Sequence, residues 1–345
     1  MSSSSLRRWL AERVPIPMEE LRKPLREELP VHLRAWVVWL GGTPLILFGI
    51  QVVTGILLTF YYTPDPARAF DSVRRITLGL RFGWLIRSLH QNAAQLMIVA
   101  LLLHMIRVFV TRAYRRPREL TWVFGMVLFL LALGFGFTGY SLVYDSLSYW
   151  ATTVGTNLLG NVPIVGPQLL WLLRGGPDVN PNTLSRFYNF HIGVLPTLMV
   201  LAIGAHLVLV RLHGVARLEA DERRETYDFF PEHVLREAAI ALVLLLGLVV
   251  YASARPPGLG VPADPTFTPP HIRPEWYFFP SYHWLKMVPM QVGIWTSAGF
   301  VGGMIFWPWI DAGLERIAPG RRVGLWIGSI AFAFTLVLLL WEALS

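Results

Sequence analysis

The sequence has 345 residues, 54% of them hydrophobic and only 15% charged, with no cysteine and a formal charge of +8. That balance is too apolar for an ordinary soluble enzyme. The missing thiols exclude disulfides, thiolate metal sites, iron–sulfur ligation by this chain and thioether attachment of a cofactor. The basic excess comes with no nucleic-acid motif, so it suits anionic lipid headgroups and no nucleic-acid partner is expected.

In chain order, residues 1–34 open with MSSSSLRRWLAERVPIPMEELRKPLREELP, which is too charged for a cleavable signal and lacks its apolar core. Its first part can lie on the headgroups with Leu6, Trp9, Leu10 and Val14 on one side. Seven apolar segments follow, at 35–60, 84–110, 121–141, 187–211, 234–254, 289–310 and 323–342. Each is near the roughly 20 residues that a helix needs to cross a bilayer. The expected fold is an all-α polytopic membrane protein with seven transmembrane helices. An N-terminus facing the cytoplasm places 20 of the 30 Lys and Arg on the inner side. This bias predicts a prokaryotic cell-membrane protein with its C-terminus outside.

Two outer connections are long. Residues 142–186 contain NVPIVGPQLLWLLRGGPDVNPNTL, and residues 255–288 contain RPPGLGVPADPTFTPPHIRPEWYFFPSYHWLKM. Both hold too much Trp, Phe, Tyr and Leu to be left in water, so both are expected to be structured. The charged stretch 212–233 marks a join. The domains read as an interfacial segment at 1–34, a four-helix bundle at 35–220 and a three-helix part at 221–345.

Histidines carry the chemistry. His90 and His104 lie fourteen apart on the second span, and His191 and His206 fifteen apart on the fourth. Fourteen steps return to within roughly 40° of one helix face and fifteen to within roughly 60°, with a rise of about 21–23 Å. Antiparallel neighbours then set His90 opposite His191 and His104 opposite His206. A lone buried histidine is usually a hydrogen-bonded core residue, but ionisable groups at membrane depth are expensive and four are hard to explain that way. Two axial imidazoles suit a low-spin haem that transfers electrons. Structural zinc, which wants four close ligands, fits less well. The pattern predicts two non-covalent b-type haems, one above the other.

Supporting residues agree. Arg87, Arg107 and Arg186 lie three before His90, three after His104 and five before His191. They read either as partners for haem propionates at the membrane edge or as snorkelling interface residues. Gly41 and Gly55 are fourteen apart on the first span, as are Gly125 and Gly139 on the third. Small residues also serve plain helix packing, as GG at 41–42 suggests. The shared spacing favours close approach of a flat macrocycle.

These features resemble cytochrome b of the quinol-oxidising cytochrome bc complexes. The resemblance covers about residues 35–310 and rests on QVVTG at 51–55, GWLIRSLH at 83–90, FTGY at 137–140, TLSRFYNFH at 183–191 and TPPHIRPEWYF at 268–278. Seven spans and the fifteen-residue spacing resemble the photosynthetic and Gram-positive branch, whose two parts are often separate chains and are fused here. The resemblance implies a haem-b subunit of a proton-translocating quinol:cytochrome c oxidoreductase. Quinol is oxidised at an outer site, one electron going to a Rieske iron–sulfur protein and the other to the haems, and quinone is reduced at an inner site. It also implies a c-type cytochrome or equivalent acceptor as partner, a homodimer of the complex, and contact with membrane lipids and quinone.

In that frame Glu275 is the expected outer-site proton acceptor, since a carboxylate in a mostly apolar pocket can take a quinol proton and pass it outward. Pro274 fixes the loop's approach. Tyr277, Tyr282 and Tyr140 match pocket-lining tyrosines. Arg211, Asp228 and Gly42 are candidates for the inner quinone site.

Three departures stand out. Val143 and Tyr144 occupy positions where the family usually has proline and tryptophan. Trp39 stands where the photosynthetic branch attaches a third haem through cysteine, so no covalent third haem is expected. An eighth span has no counterpart. Two other readings compete: a di-haem anchor for a dehydrogenase or hydrogenase, which would not need PEWY, and a transporter whose intramembrane histidines relay protons.

Overall fold

The computed structural model describes residues 28–30, 40–214, 216, 226–270 and 272–345. The surface-helix residues Leu6, Trp9, Leu10 and Val14, the departure at Trp39 and residues 215 and 217–225 of the 212–233 join lie outside them.

The described residues are mostly helical. Helix α1 (Gly42–Thr59) leads through α2 (Ala69–Gly79) to α3 (Gly83–Val110) and α4 (Glu119–Ser141). The long 142–186 connection is itself helical, holding α5 (Ser146–Gly160), α6 (Gly166–Arg174) and the start of α7 (Pro181–Asn189). Helix α7 runs through one wide π-turn, Phe190–Val194, into α8 (Leu195–His213). After the join come α9 (Val234–Ala254), α10 (Phe279–Met287), α11 (Met290–Ile305), α12 (Trp307–Ile317) and α13 (Val323–Leu344). A short antiparallel pair, β1 (Glu28–Pro30) with β2 (Thr226–Asp228), ties the start of the chain to the join.

Local signals explain several boundaries. Asp145 caps α5 by accepting from the Ser148 amide at 2.8 Å while its own amide donates to Ser148 Oγ at 2.9 Å, a reciprocal capping box. Asn180 and Thr183 repeat the device on α7, with Pro181 in the first turn. Within α8, Pro196 has no N–H for the Ile192 carbonyl and its ring presses on it. The π-turn sits at that point.

Among the described residues six helices are long and apolar enough to cross a membrane: α1, α3, α4, the α7–α8 unit, α9 with its leading turn, and α13. The chain is thus an integral membrane protein. The expected span at 289–310 is divided. Helix α11 has 16 residues, which rise only about 24 Å. Pro308 cannot donate to the Met304 carbonyl, and that carbonyl instead accepts the Trp122 indole at 2.7 Å. The chain turns at Phe306 and continues as α12.

The core lies where α1, α3, α4, α8 and α9 meet, around Leu47, Ala93, Met97, Ala132, Met199 and Ala252. Without a hydrophobic drive between helices in lipid, small residues such as the alanines let backbones close on one another. Two sets of polar contacts fasten the C-terminal part to this bundle. On the inner side Arg112 and Arg115 grip Asp311 at 3.1 and 2.9 Å and Glu315 at 2.8 and 2.7 Å. On the outer side Ser88 Oγ donates to the Ala252 carbonyl at 2.8 Å, and the Ser146 amide donates to the Val261 carbonyl at 2.9 Å.

Asp311 is buried, so removing it leaves two arginines short of a partner. Asp311→Ala should cost about 3 kcal/mol of stability, read as a fall in the thermal midpoint of the detergent-solubilised protein. Glu315 behaves differently because it is open to solvent. Hydrogen bonds from Arg115, the Gly320 amide and Arg112 hold its carboxyl at about 2, down from 4.5. Its depressed value means the pairing is fully present above pH 4.5 and is lost as pH falls toward 2. An acid titration of stability should lose this contribution in Glu315→Gln.

Candidate functional site

His90 on α3 and His191 in the π-turn face each other with ring centres 6.3 Å apart and planes at 71°. Two metal–imidazole bonds of about 2 Å, with each nitrogen about 1 Å from its ring centre, require a separation of about 6 Å. One metal ion between the rings therefore fits. A threonine orients each ring. Thr54 Oγ1 lies 2.9 Å from His90 Nδ1, and Thr138 Oγ1 lies 3.0 Å from His191 Nδ1. Each hydroxyl already donates to a backbone carbonyl, Ile50 at 2.6 Å and Gly134 at 2.8 Å. Its proton is spent, so it accepts from Nδ1–H, which leaves the Nε2 lone pair for a metal.

Glycine makes room for this. A β-carbon placed on Gly55 would come 3.2 Å from His90 Cε1, and one on Gly139 only 2.7 Å from His191 Cε1. The inner pair follows the same plan. β-Carbons on Gly41 and Gly125 would each meet an imidazole Cε1 at 3.5 Å, of His104 and His206 respectively. His104 and His206 are close enough to interact electrostatically. Both inner Nδ1 atoms are buried without a hydrogen bond of good geometry among the described residues, although the Thr121 backbone lies beside His206.

The four glycines thus back the four imidazoles one to one. This also resolves the unequal spacing. His191 and His206 meet glycines fourteen apart although they are fifteen apart, because the π-turn takes up one residue. No group of three or more His, Cys, Asp or Glu among the described residues could hold a metal by itself. What the described residues offer instead is imidazoles in facing pairs.

The arginines differ from one another. Arg87 is buried and donates to Thr77 Oγ1 at 3.2 Å and to the Pro257 and Gly258 carbonyls at 3.1 and 3.0 Å, anchoring the outer loop. Arg186 donates at 2.6 Å to the Trp171 and Leu172 carbonyls, which close α6. Arg107, beside His104, is half-buried, and among the described residues its guanidinium makes no hydrogen bond.

Glu275, Tyr277 and Tyr140 come together near α3 and α4, close enough that each phenol feels the carboxylate. Burial first, then Glu275 and Tyr140, pushes the Tyr277 phenol well above its ordinary value, so it stays a donor. Its ring end rests on Gly136, another place where a side chain would collide. Tyr282 OH donates 2.7 Å to the Ile272 carbonyl just ahead of Pro274, pinning the approach to Glu275. Tyr144 has a left-handed backbone, φ 53°, in the turn between α4 and α5, and its neighbour Val143 sits in the same turn.

On the inner side, Gly42 lies against the Glu237 carboxylate, and Glu237 lies 3.8 Å from His233. His233 in turn meets Tyr227 OH at 2.9 Å. Asp228 stands next to Tyr227 on β2, and Arg211 is in the last turn of α8. Sequence reasoning missed Glu237, Thr54 and Thr138. The threonines had a signal, since each directly precedes an outer-side glycine. Glu237 had a fainter one, four residues after His233 on one helix face.

Fold and site together define an integral-membrane cytochrome, with imidazoles aimed across a helical bundle. The comparisons agree. A family model described as Cytochrome b/b6/petB matches residues 26–214, and one described as Cytochrome b(C-terminal)/b6/petD matches 262–344. The chain is 37% identical over 345 residues to a cytochrome bc complex cytochrome b subunit of Chlorobaculum thiosulfatiphilum, covering 95% of this chain and 78% of that one. It is 43% identical over 209 residues to cytochrome b6 of Heliomicrobium gestii, covering 61% of this chain and 98% of that one. A solved structure of a hyperthermophilic respiratory Complex III superposes with a TM-score of 0.78 at 26% identity, covering 96% of each chain. The chain belongs to the cytochrome b/b6 family, with its N-terminal and C-terminal domains fused.

Thr54→Val keeps the side-chain shape but removes the acceptor for His90. It should weaken haem retention at the outer site on the order of tenfold, while Gly139→Val, which displaces His191, should abolish it. Haem-b absorbance per purified chain checks both, with the inner site's contribution unchanged in each.

Proposed function

We propose that this protein is the haem-b subunit of a proton-translocating bc-type quinol oxidoreductase. Four imidazoles in two pairs, each backed by its own glycine, carry the reading. His90 with His191, and His104 with His206, would hold two b haems, which when bound would supply one-electron transfer. Arg107 is the strongest propionate partner, because its cation is half-buried beside His104 without a hydrogen bond among the described residues. Arg87 and Arg186 keep spare donors for the same purpose, beyond the carbonyls they hold. Gly41, Gly55, Gly125 and Gly139 serve the haem sites by letting the ligand rings sit against backbone.

Outer-site quinol oxidation rests on Glu275, with Tyr140, Tyr277, Tyr282 and Pro274 forming its surroundings. Glu275 accepts a quinol proton, and Tyr277, kept protonated, donates towards the quinol oxygen. Oxidation would be bifurcated, with a Rieske iron–sulfur protein as one electron acceptor, haem held by the paired histidines as the other, and a c-type cytochrome or equivalent downstream. The inner quinone site is assigned to the Gly42 side of α9. Glu237 and His233 join Arg211 and Asp228 there, because a carboxylate and an imidazole near a backbone opening can protonate a reduced quinone. The N-terminus is read as cytoplasmic and the complex as a homodimer in the cell membrane.

A pyridine haemochrome assay should return two b haems per chain, and a protein purified without haem would end this reading. Glu275→Gln should slow quinol oxidation by about a hundredfold or more with both haems still visible. Unchanged turnover would remove Glu275 from the mechanism.

A further inference from the structure

The Glu275 carboxylate makes one side-chain hydrogen bond among the described residues, and its partner is Gln95 on α3. Gln95 Nε2 lies 2.9 Å from Glu275 Oε2, and Gln95 Oε1 lies 2.5 Å from Trp276 Nε1. The orientation of this amide is not arbitrary. An indole N–H can only donate, so the amide oxygen must face Trp276 and the amide nitrogen must face Glu275. One side chain therefore clips two consecutive residues of the outer loop to the helix that carries His90 and His104. Gln95 is five residues from His90, about 7.5 Å along the helix.

We propose that Gln95 is a positioning residue for quinol oxidation, resting on the assignment of Glu275 as proton acceptor. Its amide nitrogen faces the carboxylate and donates to Oε2, leaving the other carboxylate oxygen without a side-chain hydrogen bond among the described residues. It also sets direction. A loop glutamate after proline, at the head of a single 3₁₀ turn, has no cap hydrogen bond of its own to hold its side chain. Gln95 turns the carboxylate towards α3 and the phenols of Tyr140 and Tyr277, the other titratable groups that face it. Trp276, bound to the amide's other end, fixes the backbone between them. A glutamine at this depth is costly to desolvate unless both amide ends are satisfied, and here both are.

The test is a double-mutant cycle in the purified intact complex, following steady-state oxidation of a short-chain quinol. Gln95→Leu should lower kcat about tenfold or more with KM and both haem spectra unchanged. In a Glu275→Gln background it should add less than about twofold, because the residue acts through that carboxylate. Effects that multiply, or a Gln95→Leu rate within about twofold of the parent, would overturn the proposal even where Glu275→Gln alone is slow. A Glu275→Gln variant with unchanged turnover would instead overturn the assignment beneath it. Should leucine prevent assembly, Gln95→Glu replaces it: its carboxylate still accepts from Trp276 but cannot donate to Glu275. It should show the same loss of kcat, and a rate within about twofold of the parent counts against the clip.

Discussion

The structure depends on imidazole edges lying directly against helix backbone. Everything near the paired histidines follows from that closeness. A ring can be seated between spans only where the facing residue has no side chain, and glycine occupies all four such places. The seat alone would leave the ring free to choose which nitrogen carries its proton. At the outer pair two threonine hydroxyls, each with its proton committed to its own helix, remove that freedom. Seat and hydroxyl are adjacent in sequence, Thr54–Gly55 and Thr138–Gly139, so one helical step delivers both.

The C-terminal part is organised around the same bundle, which only its first helix, α9, enters, through Leu248 and Ala252. The long loop after α9 lies on α3, where Arg87 and Gln95 hold successive parts of it and Ser88 holds the end of α9 itself. The last span joins this system from the other side: buried Glu342 pairs with His283 and Lys286 of α10, and Arg273 lies 3.7 Å away. The Pro274–Glu275 segment is therefore gripped both by the helix that bears two of the histidines and by α13. A loop with so many proline and aromatic residues has few conformations to lose, which makes such gripping effective.

Much of this was legible in the sequence. Membrane character, the facing histidines and the glycines that back them are carried by residue type and interval, which a linear chain displays directly. Features that arise from competition between local groups were harder to see. The division after Ile305 comes from a proline whose missing donor leaves a carbonyl to a tryptophan on another helix. The π-turn at His191 likewise changes the effective spacing without changing the residue count. Gln95 looked like one polar residue among several in HQNAAQ, and only the fold shows that two loop residues nearly two hundred positions later depend on it. Arg87 illustrates the reverse case: its charge suggested one kind of partner, while its position supplied backbone carbonyls.

The inner clasp of Arg112 and Arg115 on Asp311 and Glu315 has a bearing on how such proteins can be encoded. Arg118 of the same loop donates to the His213 and Gly214 carbonyls at 3.1 Å, so the clasp sits beside the start of the 212–233 join. Together with the loop contacts on the opposite face, it holds the two parts by surfaces other than the covalent tether. The seam between the fused domains is thus a place where one gene could become two with little structural disturbance. The cytochrome b6 of Heliomicrobium gestii, nearly all of which aligns with 209 residues of this protein, has the length such a division would leave.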